Sequence, residues 1–85
     1  MGNGQRVDEV RISFTVSAGS ELVGKTGAGI QQYWGVGVIS IAEPREGGQI
    51  SFTNPPDIPI NAGSMLTVKG PKERVYALLR KGIID

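Results

Sequence analysis

The spacing of hydrophobic and polar positions predicts four β-strands. In the segment 7–17 the hydrophobic side chains occupy alternate positions, namely Val10, Ile12, Phe14 and Val16. Such a period of two is typical of a half-buried strand. The apolar run 36–42 predicts a buried central strand that Pro44 ends, and alternation resumes over 50–53 after a hairpin near Gly47-Gly48. A fourth strand is predicted over 65–69, ended by Gly70.

Two other segments have helical spacing. The first helix is predicted from Gly24 or Lys25 to Tyr33, with Gly35 ending it, although each interior glycine costs about 1 kcal/mol relative to alanine. The second is predicted over 71–81, opened by Pro71 and terminated by Gly82. The order β-α-β-β-β-α predicts an α+β fold, a mostly antiparallel sheet of about four strands with two short helices. Residues 1–6 are expected to be a flexible linker or tag remnant, and residues 7–85 one domain.

Composition narrows the possible functions. The chain has 85 residues, no cysteine and no histidine, and a net charge of +1. Without these residues there is no disulfide framework, and no site built on Cys/His or Ser/His chemistry. The charges are interspersed, so no nucleic-acid surface is indicated, and no apolar run is long enough to span a bilayer. No metal site and no catalytic residues are predicted, and the expected location is the cytoplasm.

One octapeptide raises an enzymatic alternative. The segment 19–26, GSELVGKT, matches the phosphate-binding pattern G-x-x-x-x-G-K-[ST] between a predicted strand and a predicted helix. A phosphate loop, however, belongs to a parallel sheet of more strands, needs an aspartate at the end of another strand, and precedes a strong helix. None of these is predicted here. The favoured interpretation is that Gly19 and Gly24 serve turns and that Lys25 is solvated.

Four segments in order resemble the TrkA-C domain, the C-terminal lobe of proteins that regulate conductance of potassium (RCK proteins). They are GSELVGKT (19–26), WGVGVISI (34–41), NPPD (54–57) and INAGSMLTVKGPKERV (60–75). The resemblance covers about residues 8–81. It implies a regulatory homodimer acting on a potassium channel, a potassium transporter or a cation/proton antiporter, at the inner face of the membrane.

The resemblance also implies a ligand site. In some family members cyclic di-AMP, or another small regulatory ligand such as a divalent cation, binds at or near the dimer interface. The matching positions here are Val38 and Pro55, with Ile39 and Asn54 nearby. The arginine and asparagine that accompany the dinucleotide correspond to Gln32 and Gly37. Arg45 is the candidate replacement for the arginine, and the alternative is that it is a surface turn residue. Ser64 replaces the aspartate of the family's Gly-Asp turn.

Two further interpretations stay open. Tyr33 and Trp34, adjacent aromatic residues, are candidates for the dimer interface or, alternatively, cover the edge of the core. The segments 35–38 and 62–68 weakly resemble the carboxylate-binding turn and a strand of PDZ-type peptide-binding modules. The Pro-rich corner at 54–57 lies where such a module has a helix and a turn, which favours the regulatory domain over the peptide module.

Overall fold

The chain forms a four-stranded antiparallel sheet with two helices. The computed structural model describes residues 8–55 and 57–83. In chain order the elements are β1 (Glu9–Thr15), α1 (Gly27–Trp34), β2 (Gly37–Arg45), β3 (Gly48–Thr53), β4 (Met65–Pro71) and α2 (Lys72–Ile83). The strand order is β1-β4-β2-β3, and each neighbouring pair is antiparallel. The predicted α+β class and element order are therefore confirmed, and the predicted linker at 1–6 lies outside the described residues.

The helices cover one face of the sheet. α2 packs on β1 and β4, and α1 packs on β2. The core between them is made of fully or almost fully buried side chains, chiefly Phe14, Leu22, Ile30, Val36, Ile41, Ile60, Leu66, Val68, Val75 and Leu78. The opposite face is more exposed, and on it Ser13 and Thr67 are joined by a hydrogen bond of 2.8 Å. This is the usual arrangement of a sheet with one face packed and one face open.

Several predicted element ends were wrong. β4 continues through Gly70 to Pro71, because both residues still pair with β1, so α2 begins at Lys72 and not at Pro71.

Two further ends differ for local reasons. β2 does not stop at Pro44 but runs through it to Arg45. Its pairing with β4 already ends at Ala42, so the missing N–H of Pro44 removes no bond to β4. Gly82 is not a terminator but a buried residue inside α2. A Cβ there would meet the ring of Phe14, at 3.0 Å from Cδ2 and 3.1 Å from Cζ, so glycine allows close packing.

The ends of α1 are set by two capping residues. Thr26 is the N-cap, and its Oγ1 accepts a hydrogen bond of 3.1 Å from the Gly29 N–H. The helix therefore begins at Gly27, later than predicted. Gly35 ends it, as predicted, with a left-handed φ of 71° that glycine tolerates best.

Candidate functional site

The octapeptide 19–26 is folded as a closed turn and not as a phosphate cradle. A phosphate loop needs backbone N–H groups that point at the ligand. Here the N–H groups of successive residues are already bonded within the protein: Val23 to Ser20 O at 3.2 Å, Gly24 to Ile60 O at 2.8 Å, and Lys25 to Leu22 O at 3.0 Å. The Leu22 N–H is bonded to Ser20 Oγ at 3.0 Å. Most amides of the segment are thus unavailable to a phosphate.

This segment, together with Ser17 just before it, instead holds the end of α2 by hydrogen bonds. Ser20 Oγ donates to the Lys81 carbonyl at 2.6 Å, and the Ser17 N–H donates to the Gly82 carbonyl at 2.9 Å. These bonds satisfy carbonyls that the end of a helix leaves without partners. The segment 19–26 therefore has a structural role, although its sequence matches the phosphate-binding pattern. Lys25 is exposed, as predicted.

A cleft of about 260 Å³ lies between the start of α1 and the corner that follows β3. Its lining residues are Gly27, Ala28, Gln31, Val38, Asn54 and Pro55. The two walls approach each other closely at Gly27, where a Cβ would lie 2.5 Å from the Pro55 carbonyl oxygen and 3.6 Å from Val38 Cβ. Glycine at this position therefore allows the first turn of α1 to contact the backbone of Pro55 directly.

The corner itself has an unusual backbone. Asn54 has a positive φ of 48°, a conformation that asparagine adopts more readily than most residues. Its N–H donates to the Ile39 carbonyl at 2.8 Å, which holds the corner against β2. Pro55 follows and is buried. Backbone contacts therefore hold both walls of the cleft in place: the start of α1 against Pro55, and Asn54 against β2.

Three of the five ligand-binding residues predicted from the resemblance line this cleft, namely Val38, Asn54 and Pro55. Ile39 lies at the irregular position of β2 and touches the site through its carbonyl bond to Asn54. Arg45 is seven positions beyond Val38 on the same strand, about 23 Å away at the usual rise of about 3.3 Å per residue. In this chain it does not line the cleft.

Arg45 belongs instead to a polar cluster on the hairpin. Its Nη2 lies 3.1 Å from Oε1 of Glu43, and the side-chain amide of Asn61 donates to Oε2 of Glu43 at 2.9 Å. Glu43 is buried, with 8% of its surface exposed. A buried carboxylate needs such partners, so the cluster joins the loop segment that contains Asn61 to β2.

The two predicted interface aromatics differ in exposure. Tyr33 is 79% exposed, whereas Trp34 is partly buried against the core. Their rings meet edge to face with centroids 5.7 Å apart. Trp34 thus covers the edge of the core, and Tyr33 is the aromatic residue available to a partner.

Sequence reasoning missed half of the lining: Gly27, Ala28 and Gln31. In the sequence, Gly27 is an interior helix glycine, which predicts only a loss of helix stability. Its position could have indicated the cleft, because a small residue at the start of a helix allows a neighbouring backbone to approach.

The charges around the cleft are also informative. None of the described residues that line it carries a charge. Among residues 8–55 and 57–83, no three acidic side chains come together as a metal site would require, and neither helix is long and apolar enough to span a bilayer. The cleft therefore offers neutral polar groups, apolar contacts and the first turn of a helix.

Comparison with known proteins supports the fold. Neither a protein-family model nor a curated protein matches the chain. A solved structure, "Crystal Structure of the GsuK RCK domain", is similar over 84% of this chain, with a TM-score of 0.56 and 19% identity. The match spans 16% of the length of that chain. The chain therefore has an RCK-like fold.

Proposed function

We propose that this chain is the regulatory lobe of a potassium channel, a potassium transporter or a cation/proton antiporter. In this proposal it forms a homodimer, binds a small regulatory ligand in the cleft between α1 and the Asn54-Pro55 corner, and acts on a membrane partner from the cytoplasm without catalysing a reaction. The observation that carries the proposal is the cleft itself. Val38, Asn54 and Pro55, which the TrkA-C resemblance picks out, line the same cavity.

The volume of the cleft suits a ligand site that is shared between two copies of the chain. Its volume of about 260 Å³ is slightly below the roughly 300–1,000 Å³ that is common for ligand pockets. One copy would therefore hold part of a dinucleotide or a single nucleotide, and two copies related by a twofold axis would hold the remainder. This agrees with ligand binding at or near a dimer interface, as the resemblance implies.

The chemistry of the lining favours a ligand with a flat apolar part and hydrogen-bonding groups. Val38 and Pro55 supply apolar surface, while Gln31 and Asn54 supply amide donors and acceptors. The first turn of α1 adds backbone N–H groups with partial positive charge, which favour an anionic group. Cyclic di-AMP is the first ligand to test, although Arg45 is too far away in this chain to reach its phosphates.

Regulation would follow from differential binding. A ligand that binds one arrangement of the two copies more tightly shifts the population toward that arrangement. A membrane partner attached to both copies would then be opened or closed. The helix and the corner that form the cleft are separate segments of chain, so a ligand between them can change their spacing.

A thermal-shift and calorimetric screen tests the proposal. The ligands are cyclic di-AMP, ATP, AMP, Mg²⁺ and Ca²⁺, each with the purified protein. A ligand at 100 times its dissociation constant stabilises the folded state by about 2.7 kcal/mol, which is a shift of roughly 10 °C or more for a domain of this size. A ligand from this set is expected to produce such a shift.

Two adjacent glutamines supply a matched pair of variants. Gln31 lines the cleft and Gln32 does not, and both are exposed positions of α1. For an anionic ligand, Gln31→Glu is expected to raise the dissociation constant about tenfold, because a carboxylate near the ligand costs about 1.4 kcal/mol. Gln32→Glu is expected to change it less than about twofold. Equal effects of both variants, or no binding by any ligand, would contradict the proposal.

A further inference from the structure

The outer edge of β3 lacks the charged residues and prolines that usually prevent another strand from pairing with it. β3 lies at one end of the sheet, and among the described residues it pairs only with β2. Its sequence, GQISFT, contains no charged residue and no proline. Exposed strand edges usually carry such residues, because unpaired N–H and C=O groups otherwise accept another strand. The edge strand at the other end, β1, carries Glu9 and Arg11.

The hairpin determines which backbone groups of β3 face outward. Arg45 and Gly48 are paired across a two-residue turn, which makes them a hydrogen-bonded pair. Since bonded and non-bonded pairs alternate along antiparallel strands, every second residue of β3 directs its N–H and C=O away from β2. The bond from the Asn54 N–H to the Ile39 carbonyl fits this alternation. The outward residues are therefore Gln49, Ser51 and Thr53.

The side of β3 that faces the helices is also uncovered. Ile50 and Phe52 point to this side, opposite Glu43 and Ile41 of β2. Neither helix packs extensively on β3, and Ile50 is 39% exposed. A neighbouring strand on the outer edge would cover these apolar side chains as well as satisfy the backbone.

We propose that the occupant of this edge is β3 of a second copy, paired antiparallel about a twofold axis at Ser51. The proposal rests on the proposed function only in taking the chain to be a homodimer. Outward residues must pair with outward residues, and the register centred on Ser51 uses all three, with Gln49 opposite Thr53 of the second copy. It also sets Ile50 opposite Phe52 of the second copy. The absence of charge on β3 means that no like charges meet at the axis.

This pairing joins two sheets into a continuous eight-stranded sheet and places the dimer interface close to the cleft. In the same register Gly48 of the second copy lies beside Asn54. The tip of one hairpin therefore reaches the rim of the other copy's cleft. Ligand binding and dimer geometry would be coupled through the Asn54-Pro55 corner.

Single-cysteine variants test the interface, because the chain contains no cysteine of its own. In the proposed pair the two Ser51 Cα atoms are about 5.5 Å apart, a separation that suits a disulfide. Ser51→Cys is expected to form a covalent dimer almost completely under mild oxidation at micromolar concentration. The control Thr15→Cys, an exposed residue of the β1 edge, is expected to remain mostly monomeric on denaturing gels. Tyr33→Cys tests the end of α1 as the alternative interface.

Charge variants provide a second, independent measurement by light scattering. Ser51→Lys and Ser51→Glu are each expected to raise the dimer dissociation constant at least about tenfold, because like charges meet at the axis. Mixing the two variants is expected to restore the dimer. Circular dichroism of each variant checks that it is folded.

The outcomes separate this interface from the proposed function. A dimer that is insensitive to Ser51→Lys, or that is cross-linked by Tyr33→Cys and not by Ser51→Cys, overturns the β3 interface and leaves the proposed regulatory dimer standing. A wild-type protein that stays monomeric up to about 1 mM overturns both the interface and the dimer. Cross-linking at Ser51, together with rescue by the mixed charge variants, supports the interface whatever ligand the cleft binds.

Discussion

Replacing Gly82 with alanine tests whether α2 is positioned by its contact with Phe14. Alanine normally stabilises a helix interior relative to glycine, by about 1 kcal/mol. At Gly82 the added Cβ would lie 3.0 Å from Cδ2 and 3.1 Å from Cζ of Phe14, with the Cε2 atom closer still. Phe14 is 7% exposed and belongs to the core, so its ring cannot move into solvent. Overpacking costs about 1–3 kcal/mol, and because this contact is so close we take the upper part, about 2–3 kcal/mol. After the helix gain of about 1 kcal/mol is subtracted, we expect Gly82→Ala to destabilise the protein by roughly 1–2 kcal/mol.

Urea denaturation followed by circular dichroism measures this change. In thermal denaturation the same loss should lower the melting temperature of a domain of this size by roughly 4–16 °C. Gly29→Ala in α1 is the matched control, because its Cβ would lie 3.4 Å from Thr26 Oγ1, close to an ordinary contact. That control is expected to be neutral or stabilising. The double variant Phe14→Leu with Gly82→Ala should lose less stability than the two single changes added together. If Gly82→Ala were as stable as the wild type, the packing argument would be refuted.

Two further variants test the polar cluster and the octapeptide. Asn61→Ala leaves one oxygen of the buried Glu43 carboxylate without its 2.9 Å donor, so a loss of about 1–2 kcal/mol is expected in denaturant titration; a loss no larger than that of Ala62→Gly would count against the role of the cluster. Lys25→Ala should change stability by less than about 0.5 kcal/mol and leave nucleotide hydrolysis at background, because Lys25 is exposed and its loop amides are already bonded. A hydrolysis rate above background that depends on Lys25 would restore the enzymatic alternative.

Much of the fold was predictable because the hydrophobic period is strong where elements are buried. The alternation around Phe14 identified β1, and the spacing of Val75 and Leu78 identified α2, since both patterns place a core face on one side. The ends of the elements depend on tertiary contacts. Pro44 continues a strand because the pairing of β2 with β4 stops at Ala42, and Gly82 lies within a helix at a position where the ring of Phe14 leaves no room for a side chain.

The candidate site was predictable only in part. Val38, Asn54 and Pro55 came from the resemblance, and periodicity alone did not distinguish them from core or turn residues. Gly27 and Gln31 needed the structure, because which residues of a short helix face a distant corner depends on how the helix docks. Ser64 illustrates the same limit. It replaces the aspartate of the family's Gly-Asp turn, and a serine hydroxyl can also bond to nearby backbone. The bond at this turn runs instead from the Ser64 N–H to the Asn61 carbonyl, and the buried hydroxyl has no partner among the described residues.

The most direct test of the account is a titration of the labelled protein followed by amide NMR. Cyclic di-AMP, ATP and divalent cations would be added in turn. The account predicts that a binding ligand shifts the amide signals of Gly27, Ala28, Val38 and Asn54 and leaves those of Gly24 and Lys25 nearly unchanged. Shifts centred on Gly24 and Lys25 with ATP and Mg²⁺, or no shifts with any of these ligands, would contradict it.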